Sequence, residues 1–240
     1  MSEPGAEGGA RSRPGRVTPA RRRGLADEVA DRIRDAVFAG VYAPGAPLRE
    51  VELAGALEVS RGPVREALLR LEREGLVRSA WHRGATVTAL TPDDVAELDS
   101  LRGALERLAV ELVVARATDD DLAAVETAAE HMERAEDAHA SVRRDIAFHD
   151  AVYAATHHRR LQEAWQAIRS QVHLFLLTRI GRSADDYRSH LADEHRELAA
   201  ALRARDAGNA LALFATHRRH ALDVLTRPSP ADPPPPSQAP

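Results

Sequence analysis

The chain of 240 residues contains no cysteine, which excludes disulfides, thiolate metal sites and cysteine nucleophiles. Aromatic residues make up only 4% of it, so the core must be built mostly from Ala, Leu and Val. Because aromatic and β-branched residues favour strands, their scarcity favours helices. The longest uninterrupted apolar run, residues 210–215, is too short for a transmembrane helix or a signal-peptide core. We therefore expect a soluble cytoplasmic protein with no membrane partner.

Charge and histidine are unevenly distributed along the chain. The formal net charge is −4, yet residues 1–90 contain 15 Arg against 12 acidic residues, and residues 91–240 contain 18 against 25. Ten of the 11 histidines follow residue 90. This asymmetry predicts one basic domain and one acidic domain that carries the histidines.

Both ends of the chain have compositions that cannot build a packed core. Residues 1–24 are rich in Gly, Pro, Ser and Arg without a hydrophobic period, which predicts a disordered basic arm. Residues 228–240 include four consecutive prolines and are expected to form a disordered tail. Between them, a change of pattern at residues 90–92 divides the chain into two predicted domains, 25–90 and 91–227.

The first domain reads as three helices followed by a β-hairpin. An apolar stripe over residues 25–37 predicts the first helix, and residues 48–57 predict a short second one. Ser60 is placed to cap a third helix, which Gly75 ends. The alternating residues that follow predict a small hairpin with its turn at residues 82–84. This order of elements is that of a winged helix-turn-helix, which places its recognition helix in the major groove of DNA.

The start of the third helix carries side chains suited to DNA. Arg61 and Arg65 are four residues apart and share the face opposite the apolar stripe, and arginine can donate two hydrogen bonds to guanine. Ser60 and the neighbouring backbone amides suit a phosphate. In the hairpin turn, Arg83 beside Gly84 is placed to reach the DNA backbone or the minor groove. The alternative is a solvated face, with both helix arginines paired to nearby acids such as Glu58 or Glu66.

The spacing of apolar residues in the second domain is helical throughout. Leucines from Leu98 to Leu112 mark a long amphipathic helix, and Thr118 with Asp121 resembles a capping box. Gly181 is expected to end a later helix. The remaining helices are predicted over 141–156, 161–180, 183–205 and 209–226. The fold class is therefore mostly α, with a bundle of six to seven helices after the winged helix-turn-helix.

Four residues of the second domain are candidate metal ligands. Asp145 and His149 are four residues apart, hence on one helical face, where they could hold a metal ion or merely share a surface hydrogen bond. His195 and His217 follow the apolar stripes of two later helices. The spacing alone leaves open whether these side chains meet.

The first domain resembles the GntR family of bacterial transcription regulators over residues 25–90. The resemblance rests on the motifs Leu48-Arg-Glu-x-x-Leu-Ala54, Val59-Ser-Arg-Gly-Pro-Val-Arg-Glu-Ala-Leu68, Leu71-Glu-x-Glu-Gly-Leu-Val77 and Arg83-Gly-Ala-x-Val87. It implies DNA contacts from Ser60, Arg61 and Arg65, and from the wing around Gly84. Val51 departs from the pattern, because some relatives have a DNA-contacting arginine at this position.

Residues 95–225 resemble the all-α ligand-binding domain of the FadR subgroup of that family, the FCD domain. The matching motifs are Leu101-Arg-x-x-Leu-Glu106, Asp145-x-x-Phe-His149 and the interval from His195 to His217. In metal-binding members, one Asp and three His at these places coordinate a divalent cation. The resemblance therefore implies that the ligands here are Asp145, His149, His195 and His217.

One carboxylate and three imidazoles suit Zn²⁺ best, and also Ni²⁺, Mn²⁺ or Fe²⁺, since no thiolate narrows the choice. A divalent ion with one anionic ligand keeps a net positive charge, which suits a small carboxylate effector. Arg102 could be a second cationic anchor for that effector. The alternative is that Arg102 forms an ion pair with Glu106 on the helix surface.

Together these features predict a ligand-responsive transcription regulator, a repressor and not an enzyme, that binds a palindromic operator in double-stranded DNA as a homodimer. When bound, it would be associated with the nucleoid. Two alternatives remain open from sequence. A metal-dependent hydrolase would use the Asp/His site to activate water, with Glu194 as the base. A constitutive DNA-binding protein would have no effector.

Overall fold

The computed structural model describes residues 24–80, 84–182 and 184–226. The predicted basic arm, apart from Gly24, and the predicted tail lie outside these ranges, as does Arg83 in the wing. Across the described ranges, no helix combines the length and the apolar composition needed to cross a bilayer.

The described residues of the first part, 24–80 and 84–90, form three helices and a small sheet. The elements are α1 (Leu25–Phe38), β1 (Pro47–Leu48), α2 (Glu50–Ala56), α3 (Arg61–Arg73), β2 (Val77–Ala80) and β3 (Gly84–Val87). The sheet is antiparallel in the order β1-β3-β2, with Leu48 opposite Ala85 and Val77 opposite Val87. The predicted winged helix-turn-helix is confirmed, with β1 as a strand that the sequence pattern did not predict.

Helix α3 is oriented by its apolar stripe, because Val64, Leu68 and Leu71 are buried in the domain core. Ser60 occupies the N-cap position, yet its side chain makes no capping hydrogen bond. Its hydroxyl is therefore left at the exposed start of the helix. Gly75 follows α3 with a φ of +70°, a left-handed conformation that glycine adopts at little cost, and it ends the helix as predicted.

Over residues 91–182 and 184–226, the second part is a bundle of six α-helices with one 3₁₀ turn at His131–Arg134. The helices are α4 (Pro92–Arg116), α5 (Asp119–Glu130), α6 (Ala138–Ala154), α7 (Arg159–Arg182), α8 (Ala184–Arg203) and α9 (Ala207–Thr226). Thr91 and Thr118 form capping boxes at the starts of α4 and α5. These elements confirm the mostly α fold class and the expected bundle.

Helix α7 lies at the centre of the bundle and packs against α4, α6, α8 and α9. Its segment 172–177 is buried on every side, as expected of a central helix. The helix extends to Arg182, one residue beyond the predicted stop at Gly181. Gly181 is exposed, and helix ends vary by one or two residues.

The two parts touch where the end of α1 meets α6 and α7. The ring of Phe38 stacks on that of His173, with centroids 3.6 Å apart and planes 5° from parallel. Gly40, at a φ of +78°, lies so close to His139 that an added Cβ would overlap its ring. The two parts are therefore in direct contact at this point.

Candidate DNA-reading surface and metal centre

The residues predicted to read DNA lie on one face of the first domain. Ser60, Arg61 and Arg65 are exposed at the start of α3, and Gly84 is exposed at the start of β3. Arg61, Arg65 and Gly84 line the same open groove, whose volume is about 700 Å³. The structure thus brings the helix and the described part of the wing to one concave surface.

Glu50, an acidic residue that was not among the predicted partners, pairs with both arginines of this surface. The carboxylate of Glu50 on α2 accepts hydrogen bonds from Arg61 Nη2 at 3.0 Å and from Arg65 Nε and Nη2 at 3.1 and 3.0 Å. Hydrogen bonds from Arg65 and Arg61 lower the pKa of Glu50. The paired acid is therefore neither Glu58 nor Glu66. The only signal in the sequence was its place in the Leu48-Arg-Glu motif.

The four predicted metal ligands meet in the interior of the helical bundle. Asp145 and His149 come from α6, His195 from α8 and His217 from α9, and all four side chains are buried. One ligand atom from each lies within 4.8 Å of the others. Asp145 Oδ1 is 3.4 Å from His149 Nε2 and 3.5 Å from His195 Nε2. Separations of this size suit donors around one ion with bonds of about 2 Å.

Two of the imidazoles are oriented by hydrogen bonds on their outer nitrogens. His195 Nδ1 lies 2.7 Å from the Leu191 carbonyl, which can only accept, so Nδ1 donates and Nε2 presents its lone pair. His217 Nδ1 donates likewise to Glu194 at 2.8 Å. Such outer contacts hold ligand histidines in metal sites. Glu194 also binds His220 at 2.9 Å, so this carboxylate is already engaged by two imidazoles.

The third imidazole has a different partner. His149 Nε2 lies 2.8 Å from Arg102 Nη2, and a guanidinium can only donate, so Nε2 accepts. The other ring nitrogen, Nδ1, is buried and is 3.8 Å from Glu106 Oε1. Arg102 therefore reaches the ligand cluster directly, from α4.

The predicted surface ion pair of Arg102 is wrong in its location. Arg102 Nε does donate to Glu106 Oε1 at 2.6 Å, but both side chains are only 3% exposed. Arg218 from α9 joins them, 3.2 Å from Glu106 and 2.8 Å from Asp99. Because α4 packs against α6 and α9, the Arg102–Glu106 pair is buried and belongs to an ionic network.

Burial and neighbouring charges set the protonation of the cluster. Burial opposes ionisation of Asp145, but the facing imidazoles outweigh it, so the pKa of this carboxyl lies well below its ordinary value. Burial, reinforced by Arg102, holds the pKa of His149 well below its ordinary value. Burial also lowers the pKa of His217, although its bond to Glu194 opposes this. At neutral pH the carboxylate is therefore charged and these two imidazoles are neutral, the states that bind metal.

The donor set fits a divalent ion such as Zn²⁺. Its three imidazoles and one carboxylate are ligand types that zinc prefers, and none of the four is exposed. His195 Nε2 is buried and faces Asp145 at 3.5 Å, a distance at which a hydrogen bond is weak. A cleft of about 90 Å³ between α8 and α9 reaches His217 from the surface.

Comparison with known proteins covers both domains. The FCD domain profile matches residues 90–220, and the profile of bacterial regulatory proteins of the gntR family matches residues 25–87. The HTH-type transcriptional regulator YdhC of Bacillus subtilis is 32% identical over 174 residues, which are 70% of this chain and 76% of that protein. A Paenarthrobacter nicotinovorans relative, named "Probable D-xylose utilization operon transcriptional repressor", is 33% identical over 188 residues, 76% of this chain and 80% of the relative.

Among solved structures, a GntR transcriptional regulator from Rhodococcus sp. RHA1 superposes with a TM-score of 0.74 at 27% identity. The match covers 83% of this chain and 97% of that one. Sequence profiles, relatives and fold agree over both domains. The chain therefore belongs to the GntR family of bacterial transcriptional regulators, carries an FCD domain, and is a regulator rather than an enzyme.

Proposed function

We propose that this regulator is a ligand-responsive repressor that binds a palindromic operator as a homodimer. A small organic acid, bound beside a divalent metal ion, changes its affinity for DNA. Residues 25–90 read the operator, and residues 91–227 bind the effector and form the dimer. The protein acts in the bacterial cytoplasm, on the nucleoid when bound to its operator. The single observation that carries this proposal is the convergence of four buried ligands from α6, α8 and α9.

Operator reading is assigned to Ser60, Arg61, Arg65, Arg83 and Gly84. The two helix arginines are each 60% exposed along their side chains and are held in place by Glu50. A guanidinium held in this way can meet guanine with two hydrogen bonds, worth about 1–3 kcal/mol of discrimination per contact. Ser60 and the first amides of α3 are open to a phosphate.

The metal is assigned to Asp145, His149, His195 and His217, with Zn²⁺ the best candidate and Ni²⁺, Mn²⁺ or Fe²⁺ as other ions the ligands accept. When bound, the ion would supply positive charge and open coordination positions for an oxygen ligand. The protein's own part is to orient the imidazoles and to exclude bulk water.

The cationic groups of the site favour an anionic effector once a metal is present. Four acidic side chains, Asp99, Glu106, Asp145 and Glu194, lie in the network with two arginines, Arg102 and Arg218. A divalent ion would offset this excess of two acids, and its open positions would accept a carboxylate oxygen. Arg102 is the nearest guanidinium to the ligands and is assigned to the effector carboxylate.

The experiment is to measure DNA affinity in separate metal and acid states. A duplex selected from a random pool by the full-length protein serves as the operator, and fluorescence anisotropy compares chelated protein, zinc-loaded protein, and zinc-loaded protein with each of a panel of small carboxylates. We expect at least one acid to change operator affinity tenfold or more, and only with zinc present. Equal affinity in every state would mean a constitutive DNA-binding protein instead.

Dimerisation is tested separately. Leu101 and Leu108 are 48% and 39% exposed on one face of α4, where a second copy could cover them. A single winged helix covers one half-site, so pairing doubles the contact with a palindromic operator. Light scattering at micromolar concentration should give the mass of two chains, and Leu101→Glu with Leu108→Glu should reduce it to one. A monomeric parent chain that still binds the selected duplex would refute the homodimer.

A further inference from the structure

We propose that the guanidinium of Arg102 acts as an internal cation that competes with the metal ion for His149. This inference deepens the proposed function, on which it rests, by assigning a residue that regulates metal loading. It rests on a contact rather than on a titration. In the structure Arg102 Nη2 lies 2.8 Å from the nitrogen of His149 that a metal would need.

The first step is the identity of that nitrogen. Nε2 is the atom of His149 that lies 3.4 Å from Asp145 Oδ1, whereas Nδ1 points toward Glu106. Nε2 therefore faces the other ligands and is the donor that completes the cluster. An imidazole nitrogen has one lone pair in the ring plane, so it cannot accept a hydrogen bond from Arg102 and bind a metal at once.

The second step is that Arg102 is held at this position. Its side chain is 3% exposed, and Nε is anchored 2.6 Å from Glu106 while Nη2 reaches His149 at 2.8 Å. Hydrogen bonds from a charged donor are among the stronger ones in proteins. The positive charge of Arg102 is therefore held against the nitrogen that the metal would need.

The third step is the consequence for loading. A divalent ion must displace the guanidinium from Nε2 and then remain close to its charge, and both effects oppose binding. The same step frees the Nη2 donor of Arg102 beside the ligands, where a carboxylate could accept its hydrogen bond. Metal loading thus prepares the guanidinium for the effector.

The test uses the full-length chain with Zn²⁺ alone as the probe. Zinc affinity is measured by competition with a fluorescent chelator for the parent, Arg102→Gln and Arg218→Gln. Arg218→Gln is the matched control, because it removes a positive charge from the same network, 3.2 Å from Glu106, without removing the His149 contact. We expect Arg102→Gln to bind zinc about 10- to 100-fold more tightly than the parent, the range for loss of a charge-assisted hydrogen bond. Arg218→Gln should differ from the parent by less than about threefold.

The outcomes separate this inference from the proposed function. If the parent takes up zinc and Arg102→Gln binds it no more tightly, the competition is refuted while the metal site stands. If Arg218→Gln tightens binding as much as Arg102→Gln, the effect is one of general charge and the competition is again refuted. If neither the parent nor Arg102→Gln binds zinc, both proposals fail. Zinc uptake by Arg102→Gln alone would support the competition in its strongest form.

A measurement on the unmodified chain covers the case in which Arg102→Gln does not fold. In protein labelled with ¹⁵N-arginine, the side-chain resonance of Arg102, assigned with Arg102→Lys, is followed through a zinc titration. We expect this resonance to shift in step with the first equivalent of zinc, and that of Arg218 to shift much less. Full loading with an unshifted Arg102 resonance would overturn the proposal.

Discussion

At the scale of single residues, charged side chains on this protein are held by partners from elsewhere in the chain. Glu50 binds Arg61 and Arg65 across the gap between α2 and α3, so two flexible side chains are ordered before any DNA arrives. Ordering in advance lowers the entropy cost of binding. The same carboxylate would repel the phosphates of DNA. It therefore favours contacts of the two arginines with bases over contacts with the backbone.

Replacing Arg61 or Arg65 by Ala should remove sequence preference without unfolding the protein, because both side chains are exposed. Each change should weaken binding to the selected duplex by about 10- to 100-fold, the equivalent of one guanine contact. Random duplex should be affected far less. The control is Arg73→Ala, an exposed arginine at the far end of α3. An unchanged ratio of specific to random affinity would contradict the assignment.

His173 gives a prediction about pH. Burial lowers the pKa of His173 to about 3, with Arg169, Arg143 and His139 reinforcing the shift and Asp145 opposing it. Because the folded pKa is below the unfolded value of about 6.5, the unfolded chain binds the extra proton first, and stability falls as the pH drops below 6.5.

The variant His173→Phe keeps a ring against Phe38 and removes this proton. Between pH 7 and pH 5.5 its free energy of unfolding should fall by about 1 kcal/mol less than that of the parent. Urea denaturation at the two pH values measures the difference. Parallel losses of stability in the two chains would refute the role of His173.

At the scale of elements, the proposed metal ligands come from three helices that are separate in sequence. Asp145 and His149 on α6 face His195 on α8 and His217 on α9. An ion bound to all four would tie these helices together. Because it binds only the folded state, it should stabilise that state by mass action, by about 2.7 kcal/mol at 100 times the Kd.

Removing the metal should therefore lower the melting temperature of the zinc-loaded protein, and zinc should restore it. Restoration should be lost in His195→Ala and in His217→Ala. The matched control is His220→Ala, which lies three residues beyond His217, binds the same Glu194 and is 54% exposed. Differential scanning calorimetry measures the melting temperature of each variant, and elemental analysis measures its metal content. If His220 is required and His217 is not, the ligand assignment is wrong.

At the scale of the whole molecule, the junction between the two domains is the place where an effector signal could pass to the DNA-reading helix. Phe38 at the end of α1 stacks on His173 of α7, and α7 packs against every helix that carries a metal ligand. A change in the position of α7 would therefore displace α1, which packs on α3.

Two glycines near this junction allow the contact to be tested. Gly40 and Gly45 have similar positive φ values, +78° and +84°, but an added Cβ would overlap His139 only at Gly40. Each change to Ala should cost about 1–2 kcal/mol for the left-handed backbone, and Gly40→Ala should cost at least about 1 kcal/mol more for the overlap. Denaturant unfolding of both variants measures this difference. Equal losses of stability in the two variants would show that Gly40 does not lie against His139 as described.

Much of the local structure followed from the sequence, because helical periodicity and capping act within a few residues. The winged helix-turn-helix, the shared face of Arg61 and Arg65, and the one-turn spacing of Asp145 and His149 are all of this kind. Local signals determine helix ends less closely, and α7 extends one residue past the predicted stop at Gly181.

The sequence by itself determined which residue types were available: three imidazoles and a carboxylate without a thiolate, and arginines at the start of a recognition helix. Only the tertiary structure decided which side chains meet. Glu50 reaches Arg61 and Arg65 through the packing of α2 on α3, and Arg102 reaches His149 across 47 residues because α4 packs on α6. Contacts of this range depend on how helices pack, since packing, unlike helical period, joins residues regardless of their separation in the chain.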